Sequence, residues 1–95
     1  MELLLTDQVV VFKIPDCPNC VKARKLLDNM GQPYTLYDLT KIDYDFDSVM
    51  DFLQNSAKTR TFPMVFANGR YVGGWKEIEQ LDKVGVLDQI LNYRI

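Results

Sequence analysis

The stretch Gln8–Leu27, QVVVFKIPDCPNCVKARKLL, decides how the rest of the chain is read. It opens on an apolar, β-branched run, "QVVVFKI", which predicts a strand buried on both faces. Ala23, Leu26, Leu27 and Met30 then recur at helical spacing, and Gly31 supplies the stop. Between strand and helix stand Cys17 and Cys20, the only two cysteines of the chain.

Such a pair can be half of a metal site, a structural staple or a reactive dithiol. A structural zinc site takes four Cys or His ligands, and this chain has two cysteines and no histidine, so no metal is expected. A disulfide across so short a ring removes little chain entropy and does not suit a reducing compartment. A redox-active pair remains. With a helix starting near Pro18, the Cys17 sulfur lies beside unpaired backbone N–H groups at the positive end of the helix dipole. Pro18 suits that first turn because it has no N–H to satisfy. Lys13, Lys22, Arg24 and Lys25 add positive charge nearby in sequence, whereas Asp16 opposes the thiolate. Cys20, one turn further on, is the expected resolving thiol: Cys17 attacks a disulfide and Cys20 then attacks Cys17.

Working outward, "PYTLYDL" reads as a second strand, with Tyr34 and Tyr37 as sheet residues. Phe46, Val49, Met50 and Leu53 form a helical stripe with Asp45 as N-cap, and the acidic run from Asp38 to Asp51 reads as a solvated helix face. In "TFPMVFANGRYVGG" two short apolar runs flank Asn68-Gly69, which suits a type I′ hairpin. Ile78 and Leu81 mark a third helix from about Gly74, and Leu87, Ile90 and Leu91 a short last one. The order β-α-β-α-β-β-α predicts an α/β fold, a four-stranded mixed sheet with helices on both faces.

Bulk properties limit the function classes. Ninety-five residues, without linker or repeat, predict a single domain over 1–95. A net charge of −2 argues against a nucleic-acid partner. The start "MELLLTDQ" lacks the basic leader and long apolar run of a secretory signal, and no stretch is long and apolar enough for a membrane span. The expectation is a cytoplasmic monomer. The opening "MELLL" itself reads as a strand extension, an oligomer contact or a disordered tail.

Four motifs in order resemble the glutaredoxins of the thioredoxin-fold superfamily: "VVVFK" leading into "CPNC", "CVKARKLL", "RTFPMVF", and "YVGG" before a helix. The resemblance covers about Val9 to Leu81 and implies a thioredoxin-like fold. It further implies a cis-proline at Pro63, opposite the cysteines, and glutathione as co-substrate with no tightly bound cofactor. In that family the residue before the proline, here Phe62, offers its backbone to the cysteinyl part of glutathione. Arg60, before Thr61, pairs with the glycine carboxylate, and Gly73-Gly74 at a helix start receive the γ-glutamyl carboxylate. Lys13, Pro18, Asn19, Trp75 and Lys76 complete the implied glutathione surface. Departures are local. Ile14 stands three residues before Cys17, where the family often has Lys or Arg, and Asn19 replaces the tyrosine of "CPYC". Trp75, Lys76 and Glu77 follow the glycines where Ser or Thr and then Asp are common; Lys76 can attract a carboxylate and Glu77 can favour the helix N-terminus. Trp75 reads either as a groove cover or as a core residue.

The implied activity is glutathione-dependent thiol–disulfide exchange on protein disulfides or glutathione mixed disulfides, with ribonucleotide reductase a typical family client. Two alternatives stand beside it: an electron donor recharged by thioredoxin reductase, and a glutathione-ligated iron–sulfur carrier.

Overall fold

A computed structural model of the chain describes residues 2–92. It contains β1 (Val9–Lys13), α1 (Pro18–Asn29), β2 (Thr35–Asp38), α2 (Phe46–Ala57), β3 (Met64–Ala67), β4 (Arg70–Gly73), α3 (Trp75–Lys83) and α4 (Leu87–Leu91). The sheet order is β2-β1-β3-β4, with β1 and β2 parallel and β3 antiparallel to both β1 and β4. This is the four-stranded mixed sheet that the element order predicts, in the thioredoxin-like form that the resemblance implies.

β1 is the middle of the molecule. Val9, Val10, Val11 and Phe12 are each no more than 1% exposed, because successive side chains feed opposite cores. Val10 and Phe12 pack with Met64 and Phe66 of β3 against Val49, Met50, Leu53 and Ala57 of α2. Val9 and Val11 join Val65 and Ala67 on the other face, against Ala23 and Leu27 of α1, Ile78 of α3 and Leu87 and Leu91 of α4. A strand wedged between two cores has no polar face, which is why it reads as an unbroken apolar run.

Local chemistry sets the element ends. Asp45 caps α2 by accepting from the Ser48 N–H at 3.1 Å. Asn68 and Gly69 both take positive φ, 52° and 81°, as the type I′ hairpin between β3 and β4 requires.

Four expectations need correction. The opening segment is neither strand nor tail: Glu2–Leu5 form a 3₁₀ turn, and Leu4 is buried against the α2-side core. The second strand is shorter than "PYTLYDL", covering only Thr35–Asp38, although Tyr37 is a sheet residue stacked on Phe12 at 5.5 Å. The acidic run is not one helix face, since Asp38 lies on β2 and the helix begins only at Phe46. Phe46 itself is 46% exposed, so the buried stripe of α2 starts at Val49.

Candidate active site

Cys17 is the N-cap residue of α1, with extended backbone, and Pro18 occupies the first helical turn. The Cys20 N–H points at the Cys17 sulfur at 3.2 Å. An N-cap side chain of this kind satisfies a backbone donor that the helix leaves open. In the dithiol form the same amide and the helix dipole favour a thiolate at Cys17. Cys17 and Cys20 are joined as a disulfide, with Cα atoms 5.2 Å apart. Their exposures differ: Cys20 is 2% exposed, whereas Cys17 is only partly covered. The reachable sulfur is therefore Cys17, and the sheltered one sits within bonding distance of it.

A continuous path leads from that sulfur to the start of α3. The Phe62–Pro63 peptide bond is cis, and the Phe62 carbonyl oxygen lies 3.7 Å from Cys17 Sγ. With the sulfurs bonded to each other, this is a contact and not a hydrogen bond. Pro63 is buried, and its carbonyl lies 3.3 Å from where a Cβ on Gly74 would stand, so a side chain there would need the two segments to part by a few tenths of an ångström. Gly74 is the N-cap of α3 and has no side chain to cap with, which leaves amides of the first turn without an intrahelical acceptor. The Gly74 N–H itself donates to Glu77 Oε1 at 2.8 Å. Glu77 thus folds back over the two glycines and supplies half of a capping box.

Thr61 is exposed and hydrogen-bonded to Thr59, while Trp75 packs partly into the α1/α3 core, the second of its two readings. Asn19 and Lys76 are exposed at the starts of α1 and α3. Arg60 is held on α2, donating to Gln54 Oε1 and paired with Asp51 at 3.7 Å. Both ends of that pair are largely exposed, so it holds Arg60 only loosely. Lys13 lines a cleft with the cysteines and pairs with Asp38, its register partner on β2, at 3.8 Å. Hydrogen bonds from the Thr40 hydroxyl and N–H hold the Asp38 carboxyl below its usual range, and Lys13 adds to this.

Three residues of the neighbourhood carry more than the sequence reading gave them. Glu77 sits three positions after Gly74, the capping-box offset, which is a legible signal. Arg24 is one turn beyond Cys20 and lines a cleft with both cysteines, a placement that i, i+4 spacing could have indicated. Tyr71 stands beside Gly74 and Glu77; burial pushes its phenol up, with the Glu77 carboxylate adding to the shift. No local pattern marks it.

Comparison with known proteins agrees with this geometry. The family model of the glutaredoxins matches residues 9–72. The chain belongs to the glutaredoxin family. It is 28% identical to glutaredoxin 1 of Rickettsia conorii over 91 residues, covering 96% of this chain and 87% of that protein. Among solved structures, a buckwheat glutaredoxin in complex with glutathione has a TM-score of 0.86 at 28% identity, covering 95% of this chain and 82% of that one. The dithiolic glutaredoxin of Trypanosoma brucei brucei has a TM-score of 0.83 at 33% identity, covering 96% and 94%. Glutaredoxins are thiol–disulfide oxidoreductases, and with its Cys17–Cys20 pair this chain is one of them.

Proposed function

We propose that this glutaredoxin draws its electrons from glutathione and reduces protein disulfides and glutathione mixed disulfides, with Cys17 as nucleophile and Cys20 as resolving thiol. The observation that carries the reading is the path from Cys17 Sγ past the Phe62 carbonyl and Pro63 to the amides at the start of α3. That path is lined by backbone groups suited to an extended tripeptide: a carbonyl for an amide N–H, and a helix start for a carboxylate. Arg60 is assigned to the glycine carboxylate; its exposed pair with Asp51 is weak enough to exchange. The likeness to a glutaredoxin solved as a glutathione complex also supports the assignment.

On a glutathione mixed disulfide, the Cys17 thiolate attacks the glutathione sulfur and the client leaves as a thiol. A second glutathione thiolate then attacks the bound glutathione sulfur, releasing glutathione disulfide and restoring Cys17. On a protein disulfide, Cys17 forms a mixed disulfide with the client, and Cys20 displaces the client by attacking Cys17 Sγ. The cycle needs a reducing thiol pool, so we place it in a reducing compartment such as the cytoplasm.

A second reading, recharging by thioredoxin reductase, draws on one observation. The Glu77 carboxylate already bonds the Gly74 amide and sets a negative charge where the γ-glutamyl carboxylate would dock.

A coupled assay on a glutathionylated peptide, supplied with either reductant, separates the readings. Cys17→Ser is expected to abolish turnover, and Cys20→Ser to retain reduction of the mixed disulfide. Turnover by Cys17→Ser at the wild-type rate would refute the mechanism. Turnover with thioredoxin reductase but not with reduced glutathione would replace the first reading by the second.

A further inference from the structure

A cleft of about 490 Å³ opens on the other side of the cysteine pair, between the end of β1 and the first turns of α1. Lys13, Asp16, Cys17, Cys20, Val21 and Arg24 line it. None of Thr61, Phe62, Pro63, Gly73 or Gly74 does, so it is separate from the path to α3. Its wall includes both cysteines of the disulfide.

Its charges are unevenly committed. Lys13 is held by Asp38, which faces it from β2. Arg24, by contrast, has no carboxylate partner among the described residues, and its Nε is buried without a hydrogen bond. A guanidinium bonds planar carboxylates well, and one that lines the cleft without an internal carboxylate partner among the described residues can take one from a client. Beyond the cleft rim, Lys22 and Lys25 are exposed on α1, and no acidic residue lies on this helix before Asp28. Val21 is 50% exposed at the same rim, giving an apolar footing for a polypeptide. The one carboxylate in the cleft, Asp16, adjoins Cys17 in sequence.

We propose that this cleft selects client polypeptides that carry an acidic side chain near the disulfide, with Arg24 as its partner. Spacing sets the register. Arg24 lies seven positions after Cys17 on α1, roughly 10 Å along the axis at helical rise. An extended client covers that distance in about three residues. The preferred acid is therefore about three residues from the reacting cysteine, and Asp16 disfavours an acid directly beside it. The inference rests on Cys17–Cys20 exchange and not on the glutathione reading.

The test uses the pre-reduced full chain and symmetric disulfides of a short single-cysteine peptide, with no glutathione present. Attack by Cys17 releases one peptide thiol, and attack by Cys20 on Cys17 releases the second, so both electrons come from the protein. Loss of protein thiols is followed by alkylation and mass spectrometry at low ionic strength. The peptide with Glu at the third residue from cysteine is expected to react about threefold to fivefold faster than its Gln counterpart. Glu directly beside the cysteine gives no gain. The Glu/Gln ratio falls towards one in Arg24→Gln, is largely kept in Arg24→Lys, and collapses in about 0.5 M salt. A ratio of one in the wild type at low salt, or a ratio unchanged in Arg24→Gln, overturns the proposal. If Arg24→Gln does not fold, the position and salt dependence of the wild type decide alone. Failure of turnover with glutathione, alongside an intact Glu preference, would remove only the glutathione reading.

Discussion

A methyl group at Gly73 tests the arrangement at the start of α3 most directly. Gly73 ends β4 with φ of 156°, and a Cβ there would collide with Glu77 Cβ and stand 2.8 Å from Glu77 Cγ. Gly31→Ala is the natural control: its φ is also positive, at 70°, but an added Cβ meets nothing within 4 Å. The control carries only the backbone cost of a left-handed alanine, about 1–2 kcal/mol. Gly73→Ala carries a cost of that kind plus overpacking against Glu77, about 1–3 kcal/mol, so its total is roughly 2–5 kcal/mol. Glu77 cannot evade the methyl by rotating its side chain, because its own Cβ is the nearest atom and is fixed by the helix backbone. Urea unfolding of the oxidised wild type and of both variants gives the difference, read as a shift in midpoint at constant slope. Gly73→Ala is expected to lose at least 1 kcal/mol more than Gly31→Ala. If the two variants are equally stable, Glu77 does not lie over the glycines and the reasoning fails.

Three smaller predictions follow. Asp45→Ala removes the acceptor for the Ser48 N–H and should cost about 1 kcal/mol in urea unfolding, with Asp45→Asn retaining most of it. Leu4→Ala should cost about 2–4 kcal/mol, because Leu4 is 7% exposed in the α2-side core; a loss within 0.5 kcal/mol would mean that the opening turn is not part of the fold. Tyr71 has its phenol pushed up by burial and by Glu77, so the folded state holds its proton more tightly than the unfolded chain. Its contribution to stability is then whole below the ordinary tyrosine range and is lost as pH rises through and above it. The unfolding midpoint of the oxidised wild type should accordingly fall more steeply between pH 9 and 11 than that of Tyr71→Phe, about the ordinary tyrosine value of ~10.

Much of the fold was legible because the sequence signals were local. A strand buried on both faces needs an unbroken apolar run, and Val9–Phe12 is one. A type I′ turn needs two residues that tolerate positive φ, and Asn68-Gly69 supplies them. Asp45 and Gly74 sit where helices must begin. The errors fell where the outcome depends on distant partners. Nothing around Leu4 says that it will be buried in the α2-side core, and nothing around Asp38 says that it will face Lys13 across a parallel register.

The candidate site divides in the same way. The sequence alone pointed to the chemistry: two thiols one helical turn apart, a proline in the first turn, and no histidine or further cysteine to complete a zinc site within the chain. It determined the helix start at Cys17 too, because capping and dipole effects act within one turn. Only the tertiary structure decided which groups surround those thiols. It set the Phe62 carbonyl 45 positions away against Cys17 Sγ, turned Glu77 back onto Gly74, tied Arg60 to α2, and left Arg24 without a carboxylate partner among the described residues beside the disulfide. The physical reason is range. Backbone caps and side-chain periodicity are satisfied by near neighbours, whereas charge pairing and burial are settled by whichever residues the packed sheet brings together.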